Sequence, residues 1–158
     1  MIKKEDIIPL DEYLPYQIDF TANFNKSFRR EFQSQYVSTE ITPDEMTIFY
    51  CIYFNPHMSQ SEMAKFLFKG KAHVGKILND MEERGLIKRI ADTRDNIIIK
   101  RNEITEKGLV FLEKGHKETD RIKKAMKEEF SLDDIHKLIS YLKRYRKVLN
   151  SLVDVKLK

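Results

Sequence analysis

The stretch from Met58 to Gly85 most constrains the fold, because it encodes two short helices separated by a tight break. Ser59 and Glu62 have the spacing of a capping box, in which each side chain accepts a backbone N–H at the start of a helix. We expect this helix to end near Phe66. The next residues, Phe68-Lys69-Gly70, form the break, and glycine is the usual residue where a turn needs a positive φ.

A second helix is predicted from about Lys71 to Arg84. Four apolar residues in it recur with helical spacing and predict one buried face. They are Val74, Ile77, Leu78 and Met81. Gly85 supplies the stop. The N-terminal half is basic or neutral, and the acids lie at the far end. This polarity suits a helix whose first turn approaches a phosphate backbone.

A basic ribbon follows the second helix. Residues 86–90 and 97–101 are predicted strands, and residues 91–96 are a predicted loop rich in turn formers. Arg94 stands between two acids at the tip of this hairpin. Such a tip is more typical of a wing than of a buried sheet.

In this order and spacing, the pieces resemble the MarR-type winged helix-turn-helix transcriptional regulators. The matching pieces are Ile41-Thr42-Pro43, the segment from Ser59 to Ala64, Val74 with Ile77-Leu78, the segment from Glu83 to Ile87, the wing tip from Asp92 to Asn96, and the segment from Ile104 to Gly108. The flanking helices match in length and place, so the resemblance covers nearly the whole chain. It implies a mostly α (α+β) fold, a winged helix-turn-helix flanked by dimerisation helices.

The resemblance also implies the organisation of the chain. Residues 1–40 would form an N-terminal dimerisation helix, residues 41–104 the DNA-binding domain, and residues 105–158 the C-terminal dimerisation helices, all in one compact chain. Both ends carry long apolar stripes. The stripe of the last helix, which Ser131 caps, is too long to stand alone. Pairing with the first helix and with a second copy of the chain would bury it.

The first helix, predicted from Asp11 to Tyr36, has aromatic residues at every fourth position. Such a stripe is more often core or dimer interface than a ligand site. In the family that the chain resembles, however, the effector pocket lies beside this helix. Tyr16, Phe20 and Phe24 are therefore the candidate lining of a small-molecule pocket.

Charge along the 158 residues is uneven. Residues 65–101 hold ten basic and five acidic side chains, whereas residues 1–64 hold five basic and ten acidic. Residues 65–101, which include the helix and ribbon expected to contact DNA, are thus the basic segment. The basic surplus after residue 136 fits either a solvated helix face or extra phosphate contact. No apolar run approaches the roughly 20 residues of a membrane helix. The N-terminus lacks the apolar core of a signal peptide. We expect a cytoplasmic protein without a membrane partner.

Catalytic chemistry is not encoded in a recognisable form. The sequence has no Gly-rich phosphate loop or nucleophile elbow, and its four histidines lack ligand spacing. A single cysteine, Cys51, excludes a zinc site built on a cysteine pair. It is either a buried small apolar residue or a redox-sensing thiol. We expect no enzyme, no metal and no cofactor.

The resemblance implies a sequence-specific DNA-binding transcriptional regulator, a homodimeric repressor released by a small-molecule or stress signal. The predicted DNA-binding residues are Ser59, Gln60, Lys69, Lys71, Ala72, His73, Lys76, Arg94 and Asn96. Lys71 and Lys76 would contact phosphate or guanine, and Arg94 with Asn96 the flanking minor groove. Ser59 and Gln60 would hold a phosphate at the start of the first of the two helices.

Two departures from the family pattern leave an alternative open. Ala72, His73 and Gly75 stand where the family usually has hydroxyl residues, and Asp95-Asn96 stands where the wing usually has Asp-Arg. The alternative is a winged-helix protein-interaction module that has lost sequence-specific DNA binding. Gly75 itself fits either a close approach of the backbone to DNA or a tight packing site inside the protein.

Overall fold

The computed structural model describes residues 3, 7–94 and 97–155. The predicted fold class is confirmed: the chain is mostly helical with one two-stranded antiparallel sheet. In chain order the elements are α1 (Leu14–Phe32), a π-helical segment (Gln33–Val37), α2 (Pro43–Phe54), α3 (Gln60–Leu67), α4 (Lys71–Glu83), β1 (Ile87–Arg94), β2 (Ile97–Ile104), α5 (Glu106–Glu129) and α6 (Leu132–Leu152).

The chain divides into two units, residues 1–43 and 44–158. In the first unit, α1 begins with a proline in its first turn, where a missing N–H costs nothing. Its last turn carries Arg29 and Arg30, which complement the negative end of the helix dipole. The helix then widens into the π-helical segment instead of continuing to Tyr36 as predicted. Every residue of α1 is at least partly exposed to solvent.

The core of the second unit lies between α2, α3, α4 and the base of the hairpin. Its fully buried side chains are Ile48, Phe49, Ile52, Met63, Val74, Met81, Leu86 and Ile87. Burying a side chain of this size contributes about 1.5–3 kcal/mol. The predicted buried face of α4 is confirmed by Val74, Leu78 and Met81, while Ile77 is half-buried.

The hairpin is longer than predicted. Its antiparallel register runs from the pair Ile87 and Ile104 to the pair Arg94 and Ile97. The expected loop was therefore wrong for residues 91–94, because ladder hydrogen bonds outweigh the turn preferences of those residues. Asp95 and Asn96 lie outside the described residues. The backbone N–H of Asn102 donates to the carbonyl of Pro56 at 3.0 Å, which ties β2 to the segment before α3.

The stop after α4 is confirmed. Gly85 has a left-handed φ of 68°, a conformation that costs glycine little. The N–H of the next residue, Leu86, donates to the carbonyl of Met81 at 2.8 Å. The Thr105 hydroxyl donates to the Gly85 carbonyl at 2.7 Å. The end of α4 is thereby fastened to the start of α5.

The break between α3 and α4 differs from the prediction. Phe68, and not glycine, has the left-handed φ of 52°, while Gly70 is extended at −66° and precedes the first residue of α4. The N–H groups of Phe68 and Lys69 donate to the carbonyls of Lys65 and Ala64 at 3.3 and 3.0 Å. The left-handed backbone conformation therefore falls on Phe68, the first residue after α3, even though this residue is not a glycine. For an L-residue other than glycine this backbone conformation costs about 1–2 kcal/mol.

The last helix begins as predicted, because Ser131 forms a capping box with Asp134. At the start of α5, the Thr105 hydroxyl accepts the N–H of Gly108. Every residue of α6 is at least partly exposed. None of the helices, within the residues described, has the length and hydropathy needed to cross a membrane.

Candidate nucleic-acid interface

The first two turns of α4 present one solvent-exposed face, which is polar except at Ala72. Lys71, Ala72, His73 and Lys76 are all exposed, while Val74 anchors the opposite side in the core. The alternation follows from the 3.6-residue helical repeat. The structure therefore brings four of the predicted DNA-binding residues together on one accessible surface.

Ser59 lies exposed at the start of α3 within a complete capping box. Its N–H donates to the Glu62 carboxylate at 2.7 Å, and its hydroxyl accepts the Glu62 N–H at 3.2 Å. Hydrogen bonds from the side chain and the backbone of Ser59 hold the pKa of the Glu62 carboxyl below its ordinary range. These bonds stabilise the ionised form and fix the first turn of α3.

Gln60 connects α3 to α4 directly. Its side-chain amide nitrogen donates to the backbone carbonyl of Lys71 at 2.6 Å. A Cβ placed on Gly75 would lie only 2.5 Å from that nitrogen, so glycine leaves the room in which the Gln60 side chain packs. Two explanations for Gly75 were considered, and the contact with Gln60 supports the one in which Gly75 is a tight packing site inside the protein. The amide nitrogen that was expected at a phosphate is engaged within the protein.

Lys69, in the break before α4, forms an ion pair with Asp44 in the first turn of α2. Both side chains keep about a third of their surface exposed, so water screens the pair and its strength is modest. This pairing was not predictable from local patterns, because the two residues are 25 positions apart. The pair places a negative charge beside one of the predicted phosphate contacts.

Arg89 on β1 anchors the hairpin to α4. Its Nε donates to the Glu82 carboxylate at 2.6 Å, and its Nη2 donates to the Asn79 side-chain oxygen at 2.7 Å. The bond is charge-assisted and partly shielded from water, which makes it stronger than a typical surface pair. Sequence reasoning missed this role. An acid seven residues before a strand arginine, across a glycine stop, is the signal that was available.

The last turn of α4 is fastened to α2 by a second arginine. Arg84 Nη1 lies 2.5 Å from the carboxylate of Glu45 and 2.6 Å from that of Asp80. The carboxylate of Glu45 is buried, and a buried charge requires such a partner. This pairing, also missed from the sequence, fixes the far end of the helix.

The two residues predicted at the wing tip are Arg94 and Asn96. Arg94 is the last residue of β1, and its side chain lies outside the described part of the chain. Asn96 lies outside the described residues altogether. The backbone pairing of Arg94 with Ile97 carries the ribbon to its distal end.

The remaining candidates lie elsewhere. Tyr16, Phe20 and Phe24 are exposed along α1, and the Tyr16 and Phe20 rings are 6.2 Å apart. Among the described residues, no group of three or more His, Cys, Asp or Glu side chains is arranged to hold a metal ion. Cys51 is buried, and burial raises the pKa of its thiol, which disfavours the reactive thiolate.

Two helices joined by a tight break, with the second one exposed and basic at its start and followed by a ribbon, define a winged helix-turn-helix protein. Residues 41–96 match the model of the MarR family. The match begins just before α2 and runs through α4 into the hairpin, so this part of the chain is similar to the winged-helix transcriptional regulators of that family, which are generally non-enzymatic DNA-binding proteins. Among curated proteins, no sequence matches the chain significantly.

Solved structures share the fold over nearly the whole chain. A MarR/EmrR family transcriptional regulator from Acinetobacter sp. ADP1 is 22% identical, with a TM-score of 0.75, over 91% of this chain and 99% of that one. The S. aureus MepR–DNA complex is 18% identical, with a TM-score of 0.69, over 88% and 98%. PcaV from Streptomyces coelicolor, in complex with its natural ligand, is 13% identical, with a TM-score of 0.69, over 89% and 96%.

Proposed function

We propose that this transcriptional regulator binds DNA sequence-specifically as a homodimer and represses transcription until a small-molecule or stress signal releases it. The observation that carries the proposal is the exposed basic start of α4, where Lys71, His73 and Lys76 share one accessible face. The similarity to MepR, whose structure is a DNA complex, supports a duplex as the partner.

The residues of α4 would have distinct roles in the major groove. Lys71 and Lys76 are placed to contact phosphates or guanine edges, and His73 to contact a base edge or a phosphate. Ala72 offers only an apolar contact to a thymine methyl group. Ser59 would stand at a phosphate beside the start of α3. Arg94 and Asn96 are our candidates for the flanking minor groove.

Exposed apolar surface on the terminal helices supports the homodimer. Large hydrophobic side chains with substantial exposure lie on α1 (Leu14, Tyr16, Phe20, Phe24, Phe28) and on α6 (Leu132, Leu138, Ile139, Tyr141, Val148, Leu149, Leu152). On each of these helices, an exposed apolar stripe of this kind is a candidate interaction site. A second copy of the chain is the partner that we propose. Two-fold symmetry would then set the half-sites about 34 Å apart.

For the release signal, we propose a small molecule bound beside α1. Tyr16, Phe20 and Phe24 would supply aromatic contacts to it, and PcaV, of similar fold, is known with its natural ligand. An effector of this kind changes DNA affinity only if it binds the two states of the protein unequally. The test is a thermal-shift screen of small molecules. True ligands of this site should stabilise the wild type and lose that effect in Phe20→Ala.

The central experiment is a fluorescence-anisotropy titration with duplex DNA, first of random sequence at low salt and then of fragments selected from genomic DNA. Lys76→Ala should weaken binding, because a cation on the reading face is lost. Lys114→Ala, an exposed lysine on α5, is the matched control. Absence of duplex binding, or equal binding by both variants, would overturn the proposal.

The second candidate function is protein–protein recognition by the same face. Two residues favour this second function. Ala72 is exposed and has no hydrogen-bonding group, and the space beside Gly75 is filled by the Gln60 side chain. These residues leave the first two turns of α4 with few groups to read bases. A wild-type chain that fails to bind any duplex at low salt would favour this candidate.

A further inference from the structure

Two exposed phenyl rings lie directly before α4, the helix that is proposed to enter the DNA groove. The side chain of Phe68, in the break between α3 and α4, is 72% exposed, and that of Phe66, on the last turn of α3, is 69% exposed. Phe68 is also the one residue other than glycine with a positive φ among the described residues. An exposed aromatic ring on a strained backbone is an unfavourable combination for folding alone.

The backbone of the break does not require this side chain. The helix stop is made by N–H groups that donate to the carbonyls of Ala64 and Lys65, and glycine would make the same bonds without strain. Because Phe68 is largely exposed, its ring gains little from packing within the chain. Strain that the fold does not need points to a role outside the fold.

The position of Phe68 suggests its partner. Lys71, the first residue of α4, follows it by three positions, and the bond from Gln60 to the Lys71 carbonyl holds the start of α4 against α3. Four lysines and no acid occur from Met63 to Asn79. The phenyl rings therefore lie in a chain segment whose only charged side chains are basic, and although Asp44 pairs with Lys69, the other lysines of the segment complement the phosphates of a nucleic acid.

We propose that Phe68, assisted by Phe66, packs against the deoxyribose face of the DNA backbone at the edge of the groove that α4 enters. The sugar presents C–H groups between phosphates, so an apolar ring flanked by lysines matches this alternation of apolar and anionic surface. The inference rests on the proposed function, because it assumes that the start of α4 meets a duplex. It adds an apolar, salt-independent contribution to an interface otherwise held by cations.

The test is Phe68→Gly, in which stability and binding should move in opposite directions. Relief of the strained backbone should raise the melting temperature by about 2–4 °C. Loss of a contact that buries on the order of 50 Å² of apolar surface should weaken duplex binding about fivefold to tenfold. The slope of log affinity against log salt should stay unchanged, because the ring releases no counterions.

Phe54→Ala is the matched control. This ring, at the end of α2, is 80% exposed and lies outside the basic segment, so its loss should leave duplex affinity unchanged. A melting temperature that falls in Phe68→Gly would show that the ring stabilises the fold, which overturns the inference. Duplex affinity within twofold of the wild type would also overturn it.

The outcomes separate this inference from the proposed function. If Lys76→Ala loses affinity while Phe68→Gly does not, the inference fails and DNA binding stands. If the wild type binds no duplex, both fail together. If a Phe68→Gly variant binds weakly with an altered salt slope, the ring acts by positioning lysines instead of touching sugar, and the inference is again wrong.

Discussion

The winged segment and the terminal helices use amphipathic sequence in opposite ways. In α4, the apolar face is buried within the chain, and the helix is held by Gln60 at the Lys71 carbonyl, by the Arg84–Glu45 ion pair and by Arg89 at the Glu82 carboxylate. In α1 and α6, equally regular apolar stripes remain exposed. The difference teaches that helical periodicity identifies a face to be covered but does not say which molecule covers it. Five predictions, each with a comparison variant, test this contrast.

The largest expected effect comes from the core of the winged segment. Phe49 is fully buried, so Phe49→Ala should cost about 3–5 kcal/mol of unfolding free energy. Phe24→Ala on α1 should change the stability of the isolated chain by about 0.5 kcal/mol or less, since that ring is exposed. Urea unfolding at two protein concentrations measures both. Equal losses in the two variants would break the contrast.

Leu138→Asp tests whether the exposed stripe of α6 is covered by a second copy. Placing a charge on that stripe should weaken self-association by about a hundredfold, because the carboxylate must be desolvated in the interface. His136→Asp, at a neighbouring exposed position, is the control. Sedimentation velocity gives the result, and an undisturbed dimer in Leu138→Asp would show that this stripe faces something else.

Arg94→Ala examines the distal end of the hairpin. If the arginine contacts phosphate in the minor groove, its loss should weaken binding to all sequences and reduce the salt slope by about 0.9. Arg121→Ala, on α5, should leave the slope unchanged. The measurement is duplex affinity across a salt series. A slope equal to that of the wild type would exclude a phosphate contact by Arg94.

Asp44→Asn should act in the opposite direction. It frees Lys69 from its ion pair, so the lysine becomes available to a phosphate. We expect tighter binding at low salt and a salt slope steeper by about 0.9. Asp133→Asn, which breaks a comparable pair with Lys137 on α6, is the matched control. Identical slopes in both variants would mean that Lys69 lies away from the duplex.

The smallest effect concerns the helix caps. The pKa of Glu62 lies below its ordinary value of 4.5, so the ionised carboxylate stabilises the fold. This contribution is present above pH 4.5 and is lost as the pH falls through the lower folded-state pKa. The difference in melting temperature between wild type and Glu62→Gln should therefore shrink on acidification. The difference in melting temperature between wild type and Asp134→Asn on α6 should shrink in the same way. A difference that does not change with pH would exclude a contribution of these carboxylates that depends on their ionisation.

Local signals predicted the framework well. The capping box at Ser59, the stop at Gly85 and the cap at Ser131 depend on residues that lie within a few positions of the hydrogen bonds concerned. Short-range chemistry of this kind is legible in a sequence. The buried face of α4 was equally legible, because a helical repeat constrains it.

Contacts between distant parts of the chain were not predictable in the same way. Asp44 and Lys69, or Glu45 and Arg84, meet only after the helices have packed. The strained turn was missed for a different reason. The nearby glycine is the residue best suited to a positive φ, but the hydrogen bonds that end α3 place that conformation two residues earlier, on Phe68.

Gln60 at one end and Arg84 at the other fasten α4, and the side chains that face outward on its first two turns take no part in these two contacts. Ala72 and His73 are such side chains, because both are exposed and neither contributes an atom to these two contacts. Replacing them should therefore retarget the protein to another site without a folding penalty. Because the helix position does not depend on these side chains, the DNA sequence that is recognised can change while the fold stays the same.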